Sequence, residues 1–146
     1  AFYGISYGGK TAMRVPAVIK GYYLSICSAD FNEWVRKVST TERSFSYVFT
    51  GEYDMPEWDL GHTFNYAEMT ALIAPRPFMV ERGYFDGVGA DEWVSYEFAK
   101  AQRYYDLHGL DTLIAIEHFA GPHSINGKAT FEFLDKHLKN QPGTKF

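Results

Sequence analysis

Three side chains in this sequence have the types and settings needed for nucleophilic attack on a carbonyl carbon. Ser6 is the centre of Gly4-Ile5-Ser6-Tyr7-Gly8, a G-x-S-x-G pentapeptide. A serine hydroxyl is a weak nucleophile until a neighbouring base takes its proton. His123, in Gly121-Pro122-His123, has the side chain best suited to that task near neutral pH. A carboxylate bonded to the second ring nitrogen would fix the tautomer and stabilise the imidazolium. Asp86, in Gly83-Tyr84-Phe85-Asp86, fits that part, and Asp91 and Asp30 remain alternatives for it. Asp91 is also explained as a helix cap, whereas Asp30 follows a strand-like run.

Such a set works only if the chain brings its members together. Phe2 and Tyr3 read as the end of a β-strand, and Gly9 to Val15 as a helix that Pro16 ends. Strand, sharp turn and helix around a central serine are what a nucleophile elbow requires. Gly4 and Gly8 are read as the positions where strand and helix approach too closely for side chains. The N–H of Tyr7, directly after the serine, is the oxyanion-hole donor this sequence can supply.

Further on, Tyr22 to Cys27 reads as a buried strand and Tyr66 to Ile73 as a short helix that stops before Ala74-Pro75. Pro77 to Glu81 is a further buried strand. A long helix capped by Asp91 runs to His108 and stops at Gly109, with Val94, Phe98, Ala101 and Tyr105 on one apolar stripe. Thr112 to Glu117 is the last strand, and Lys128 to Leu138 the last helix. Glu81 is expected to pair with Arg76 or Arg82. Strands alternating with helices imply a parallel sheet covered on both faces, with functional loops at the strands' carboxyl ends. Ser6, Asp86 and His123 each fall just past such an end.

Composition narrows the function classes. The 146 residues suffice for a substantial core, and no linker or repeat divides them. The 14 basic and 18 acidic residues, net charge -4, lack the basic stripe of a nucleic-acid binder. No apolar run approaches bilayer length, so no membrane span is expected. Cys27, the sole cysteine, reads as a core residue. His118, His123, Asp86 and Asp91 do not have the spacing of a metal motif, so no metal or other cofactor is implied.

With these motifs in order, the chain resembles the C-terminal half of an α/β-hydrolase. Serine, acid and histidine follow one another in that fold's chain order. The run Ala74-Pro75-Arg76-Pro77-Phe78-Met79-Val80-Glu81-Arg82-Gly83 is most similar to the acetyl xylan esterase and dienelactone-hydrolase-like group. The resemblance implies an α/β fold, with residues 1–146 forming the C-terminal part of a single hydrolase domain whose N-terminal half is missing. It implies a serine hydrolase cleaving carboxylic esters through an acyl-enzyme on Ser6, with a small-molecule or carbohydrate ester as substrate. Prolyl-oligopeptidase-type peptidases share this half, and an inactive hydrolase-like fragment is the third reading. Glucuronoyl esterases draw their acid from the earlier strand, which keeps Asp30 in play. Pro122 departs from the group's usual Gly-His or Gly-Gly-His. A chain beginning at the nucleophile strand is expected to expose a sheet edge, and by itself to be poorly stable and nearly inactive. The aromatic segment from Trp34 to Trp58 is a candidate pocket lining, with packing of a lid or core as the alternative.

Overall fold

Successive side chains on a strand point to opposite faces of its sheet, and here that alternation sorts the apolar residues into two cores. The computed structural model describes residues 1–51 and 60–139. Its sheet has four parallel strands in the order β1 (Phe2–Ile5), β2 (Ser25–Ser28), β3 (Phe78–Gly83) and β4 (Ile114–Phe119). Cys27, Phe78, Val80 and Ile114 face the larger core with Met13, Trp34, Tyr66, Phe98 and Tyr105. Their neighbours Ile26 and Met79 turn the other way, onto Leu24 and Phe133.

The helices follow from this division. The larger core is covered by α1 (Tyr7–Val18), α4 (Tyr66–Ile73) and α5 (Asp91–Leu107). The opposite face is covered by α6 (Lys128–Leu138). Two short helices, α2 (Trp34–Ser39) and α3 (Leu60–Thr63), and a 3-10 turn at Tyr47–Phe49 lie between β2 and α4. This is an α/β architecture with helices on both sheet faces. Val94, Phe98, Ala101 and Tyr105 are all buried, as one helical stripe facing a core should be. Among the described residues, no helix is long and apolar enough to cross a membrane.

Several local expectations change. Pro16 does not end α1, which continues to Val18 with Ile19 N–H bonding the Val15 carbonyl at 2.7 Å. A proline in a last turn forfeits one bond without stopping the turn that follows. Arg76 caps that end, donating to the carbonyls of Pro16 (2.6 Å) and Tyr22 (2.9 Å), so it is not a partner of Glu81. The cap of α5 is Ala90, with Asp91 in the first turn. The strands also extend further toward the functional end than expected: β1 to Ile5, β3 to Gly83 and β4 to Phe119.

Candidate active site

The elbow is built by close backbone packing. Ser6 sits between β1 and α1 with φ 57 and ψ -121, a region a non-glycine residue occupies only under constraint. Its N–H bonds the Ser28 carbonyl at 3.0 Å and its carbonyl accepts from Lys10 N–H at 2.9 Å. The hydroxyl makes no capping bond to α1. A Cβ on Gly4 would run into the Gly8 backbone, which explains the first glycine of the pentapeptide. The expectation for Gly8 is corrected: a Cβ there meets nothing within 4 Å, and it is Gly9 whose Cβ would strike the Ser28 carbonyl.

Two other loops meet at the same rim. A Cβ on Gly83 would strike the carbonyls of Gly121 and Pro122, so only glycine lets the histidine loop lie against the end of β3. Tyr84 N–H then bonds the Phe119 carbonyl and Phe85 N–H the Gly121 carbonyl, both at 2.9 Å. This stitching brings His123 Nδ1 to 2.9 Å from Asp86 Oδ2. An ionised carboxylate can only accept, so Nδ1 is the donor in this bond, and Nε2 is the nitrogen left to act as acceptor in a neutral imidazole. The Asp86 side chain is fully buried, whereas that of His123 is 34% exposed.

Arg82 is the residue that sequence reasoning undervalued. Buried at the end of β3, it pairs with Asp86 Oδ2 at 3.0 Å and Asp91 Oδ1 at 2.9 Å. It also donates to the carbonyls of Asp86 (3.2 Å) and Gly89 (2.8 Å). The acid loop is thus wrapped around one guanidinium, whose planar fork suits several acceptors at once. Val88 N–H completes it by donating to Asp86 Oδ1 at 3.0 Å. The visible signal was an arginine followed by aspartates four and nine positions later.

Ser6, Tyr7, Asp30, Trp34, Lys37, Phe45, Tyr47, Arg82 and His123 line one cavity of about 280 Å³. Trp34, Phe45 and Tyr47 thus realise part of the expected aromatic lining, and Trp58 lies outside the described residues. Tyr7 opens α1, so the positive end of that helix faces the cavity. Asp30 follows β2 and accepts from the Tyr66 hydroxyl at 2.7 Å. Burial pushes its carboxyl up to about 6, against the opposing pull of that bond and of Arg14. Lys37 donates to Phe45 O at 2.9 Å and also to the Val88 carbonyl, and burial brings its ammonium down to about 8.

Of the three expected acids, Asp86 is the one bonded to His123, while Asp91 is held by Arg82 and Asp30 by Tyr66. The competing histidine, His118, stacks on Tyr84 with rings 5.5 Å apart. His108 bonds the Tyr104 carbonyl in its own helix, and His137 packs on Phe133.

Solved structures share this arrangement of elements. A carbohydrate esterase family 15 glucuronoyl esterase from Caldicellulosiruptor kristjansonii matches with a TM-score of 0.70 at 21% identity. The match covers 96% of this chain and 43% of that one. The glucuronoyl esterase catalytic domain of Hypocrea jecorina matches at 0.67 and 19% identity, over 95% of this chain and 44% of its own. An acylaminoacyl peptidase of Pyrococcus horikoshii matches at 0.66 and 15% identity, over 99% of this chain and 24% of its own. No protein-family model and no curated protein matches the chain. The chain shares the fold of these structures over the part of them that it spans, which is less than half the length of each.

Proposed function

We propose that this hydrolase-fold chain carries the catalytic groups of a serine esterase, with Ser6 as nucleophile, His123 as base and Asp86 as its orienting acid. The observation that carries the reading is the 2.9 Å bond between His123 Nδ1 and Asp86 Oδ2, beside a cavity that a strained Ser6 also lines. His123 Nε2 takes the Ser6 proton as Oγ attacks the ester carbonyl, and the resulting imidazolium is stabilised by Asp86. The Tyr7 N–H and the α1 terminus supply one side of the oxyanion site. His123 then returns the proton to the leaving alcohol, and water hydrolyses the acyl-enzyme on Ser6 by the same exchange.

The substrate is a small or carbohydrate ester. Trp34, Phe45 and Tyr47 give the cavity aromatic walls beside polar Asn32, Lys37 and Asp30, a mixture that suits the apolar faces and hydroxyls of a sugar. Residues 1–146 are read as the C-terminal part of one hydrolase domain. A peptidase is the second reading, favoured by the match to the acylaminoacyl peptidase. Turnover of p-nitrophenyl acetate, an acetylated xylo-oligosaccharide and an N-acylated peptide amide by the full-length protein separates them. The esterase reading expects hydrolysis of the two esters and little of the amide; preferential amide cleavage would replace it.

A further inference from the structure

The buried carboxylate of Glu81 lies on the α6 side of the sheet, outside the cavity, and takes no part in the chemistry above. It stands at the end of β3, in register with Ser28 on β2 and Glu117 on β4. Its residue is 1% exposed. The Tyr3 and Ser28 hydroxyls donate to Oε2 at 2.9 and 2.5 Å. The backbone N–H groups of Asn126 and Gly127 donate to Oε1 at 3.0 and 2.9 Å, and the Thr130 hydroxyl at 3.4 Å. These five donors are all neutral.

The two oxygens have different tasks. Oε2 is fixed by the ends of β1 and β2, whereas Oε1 holds the chain where it enters α6. Gly127, the N-cap of α6, adopts φ 78 and supplies no capping side chain. Glu81 therefore brings the negative charge that a helix N-terminus favours from a different strand. Glu117 reinforces the grip, its Oε1 accepting from the Asn126 side-chain amide at 2.5 Å. Burial, with the Glu81 charge beside it, pushes the Tyr3 phenol up to about 12, so Tyr3 remains a donor.

Asn126 is three residues after His123. The histidine loop has one anchor before the imidazole, the Gly121 bond to Phe85, and the Glu81 grip after it. We propose that Glu81 is a positioning residue: its carboxylate pins the far end of the His123 loop to the sheet, and so sets where the imidazole stands relative to Asp86 and Ser6. The inference rests on His123 acting as the base. Glu81→Gln keeps the shape but puts an amide donor against donors on whichever side it faces, so one arm of the grip is lost.

The test compares Glu81→Gln with Glu97→Gln in the full-length protein. Glu97 is a second buried carboxylate, accepting from Ala67 N–H at 2.8 Å on the opposite face. Three readouts are taken: melting temperature, kcat and KM for p-nitrophenyl acetate, and the downfield Nδ1–H proton resonance of His123. Both variants lower the melting temperature. Only Glu81→Gln lowers kcat, by about 10- to 100-fold with little change in KM, the scale expected when a catalytic group is displaced. Only Glu81→Gln shifts or broadens the His123 resonance. If Glu81→Gln leaves kcat and the resonance as they are in Glu97→Gln, the positioning role is wrong and Glu81 is a stability residue. If Glu81→Gln does not fold, the Tyr3→Phe/Ser28→Ala pair, which strips both Oε2 donors, decides by the same readouts. Hydrolysis that survives His123→Ala would overturn the esterase reading and this role with it, and the resonance would still report whether Glu81 holds the loop.

Discussion

Asp86→Asn separates the three acids that the sequence left open, and its size can be worked from the contacts. Oδ2 of Asp86 serves two partners, His123 Nδ1 and Arg82 Nη1, at 2.9 and 3.0 Å. Oδ1 accepts from Val88 N–H. An asparagine cannot satisfy all three. With its NH2 in place of Oδ2 it faces two donors; flipped, it faces Val88 N–H and offers Arg82 and His123 a neutral carbonyl in place of a carboxylate. Arg82 retains Asp91 and two carbonyls, so its charge is not stranded. The stability cost is therefore about 2–3 kcal/mol, below that of a fully orphaned buried ion. The rate cost is larger. Without the carboxylate, His123 loses its preferred tautomer and the imidazolium its counter-charge, which is worth about 10³- to 10⁴-fold in kcat. Single-turnover acylation of the full-length protein by p-nitrophenyl acetate, normalised to folded protein, measures it. Asp30→Asn should cost less than about tenfold in the same assay, because its carboxyl bonds Tyr66 instead of the imidazole. An Asp86→Asn protein with near-normal acylation, or an Asp30→Asn protein with the greater loss, would refute the assignment.

Gly83→Ala drives a methyl group into the carbonyls of Gly121 and Pro122, which are backbone and cannot swing aside. It should cost about 1–3 kcal/mol by urea denaturation, and it should lower kcat as well, because the displaced loop carries His123. Asp30 predicts a pH dependence. Its native carboxyl titrates near 6, above the unfolded value of 3.8, so the folded protein binds more protons across that window. Stability therefore falls as pH rises through it, by at most about 2 kcal/mol given partial contact with cavity solvent. Asp30→Asn should flatten that slope and raise the melting temperature above about pH 6 relative to the parent; an unchanged slope between about pH 4 and 7 would count against it.

Much of the frame was legible because it is local. The bounds of α4 and α6 match those expected, and proline punctuation is what stops the first; the Asn65 side chain that caps it was not read from the sequence. The Ser6, Asp86 and His123 loops were identifiable because each directly follows an apolar run. What the sequence hid is contact across long separations. Glu81 meets Tyr3, Ser28 and Asn126, 78, 53 and 45 positions away, and nothing in Val80-Glu81-Arg82 announces those partners. The Gly8 error has the same origin. The pentapeptide marks a close approach but not which backbone would be struck, and the Ser28 carbonyl that makes Gly9 necessary comes from β2. Pro16 misled because a proline's penalty depends on how much helix follows it, and here Arg76 caps the Pro16 carbonyl in the last turn.

The central claim is that Ser6 is an activated nucleophile. Peptide mapping after reaction of the full-length protein with a fluorophosphonate probe tests it directly, since the probe reacts with a serine whose proton has somewhere to go. The account predicts a stoichiometric adduct on Ser6 that disappears in Ser6→Ala and nearly disappears in His123→Ala. A folded protein that takes up no label, or one whose labelling survives Ser6→Ala, would contradict it.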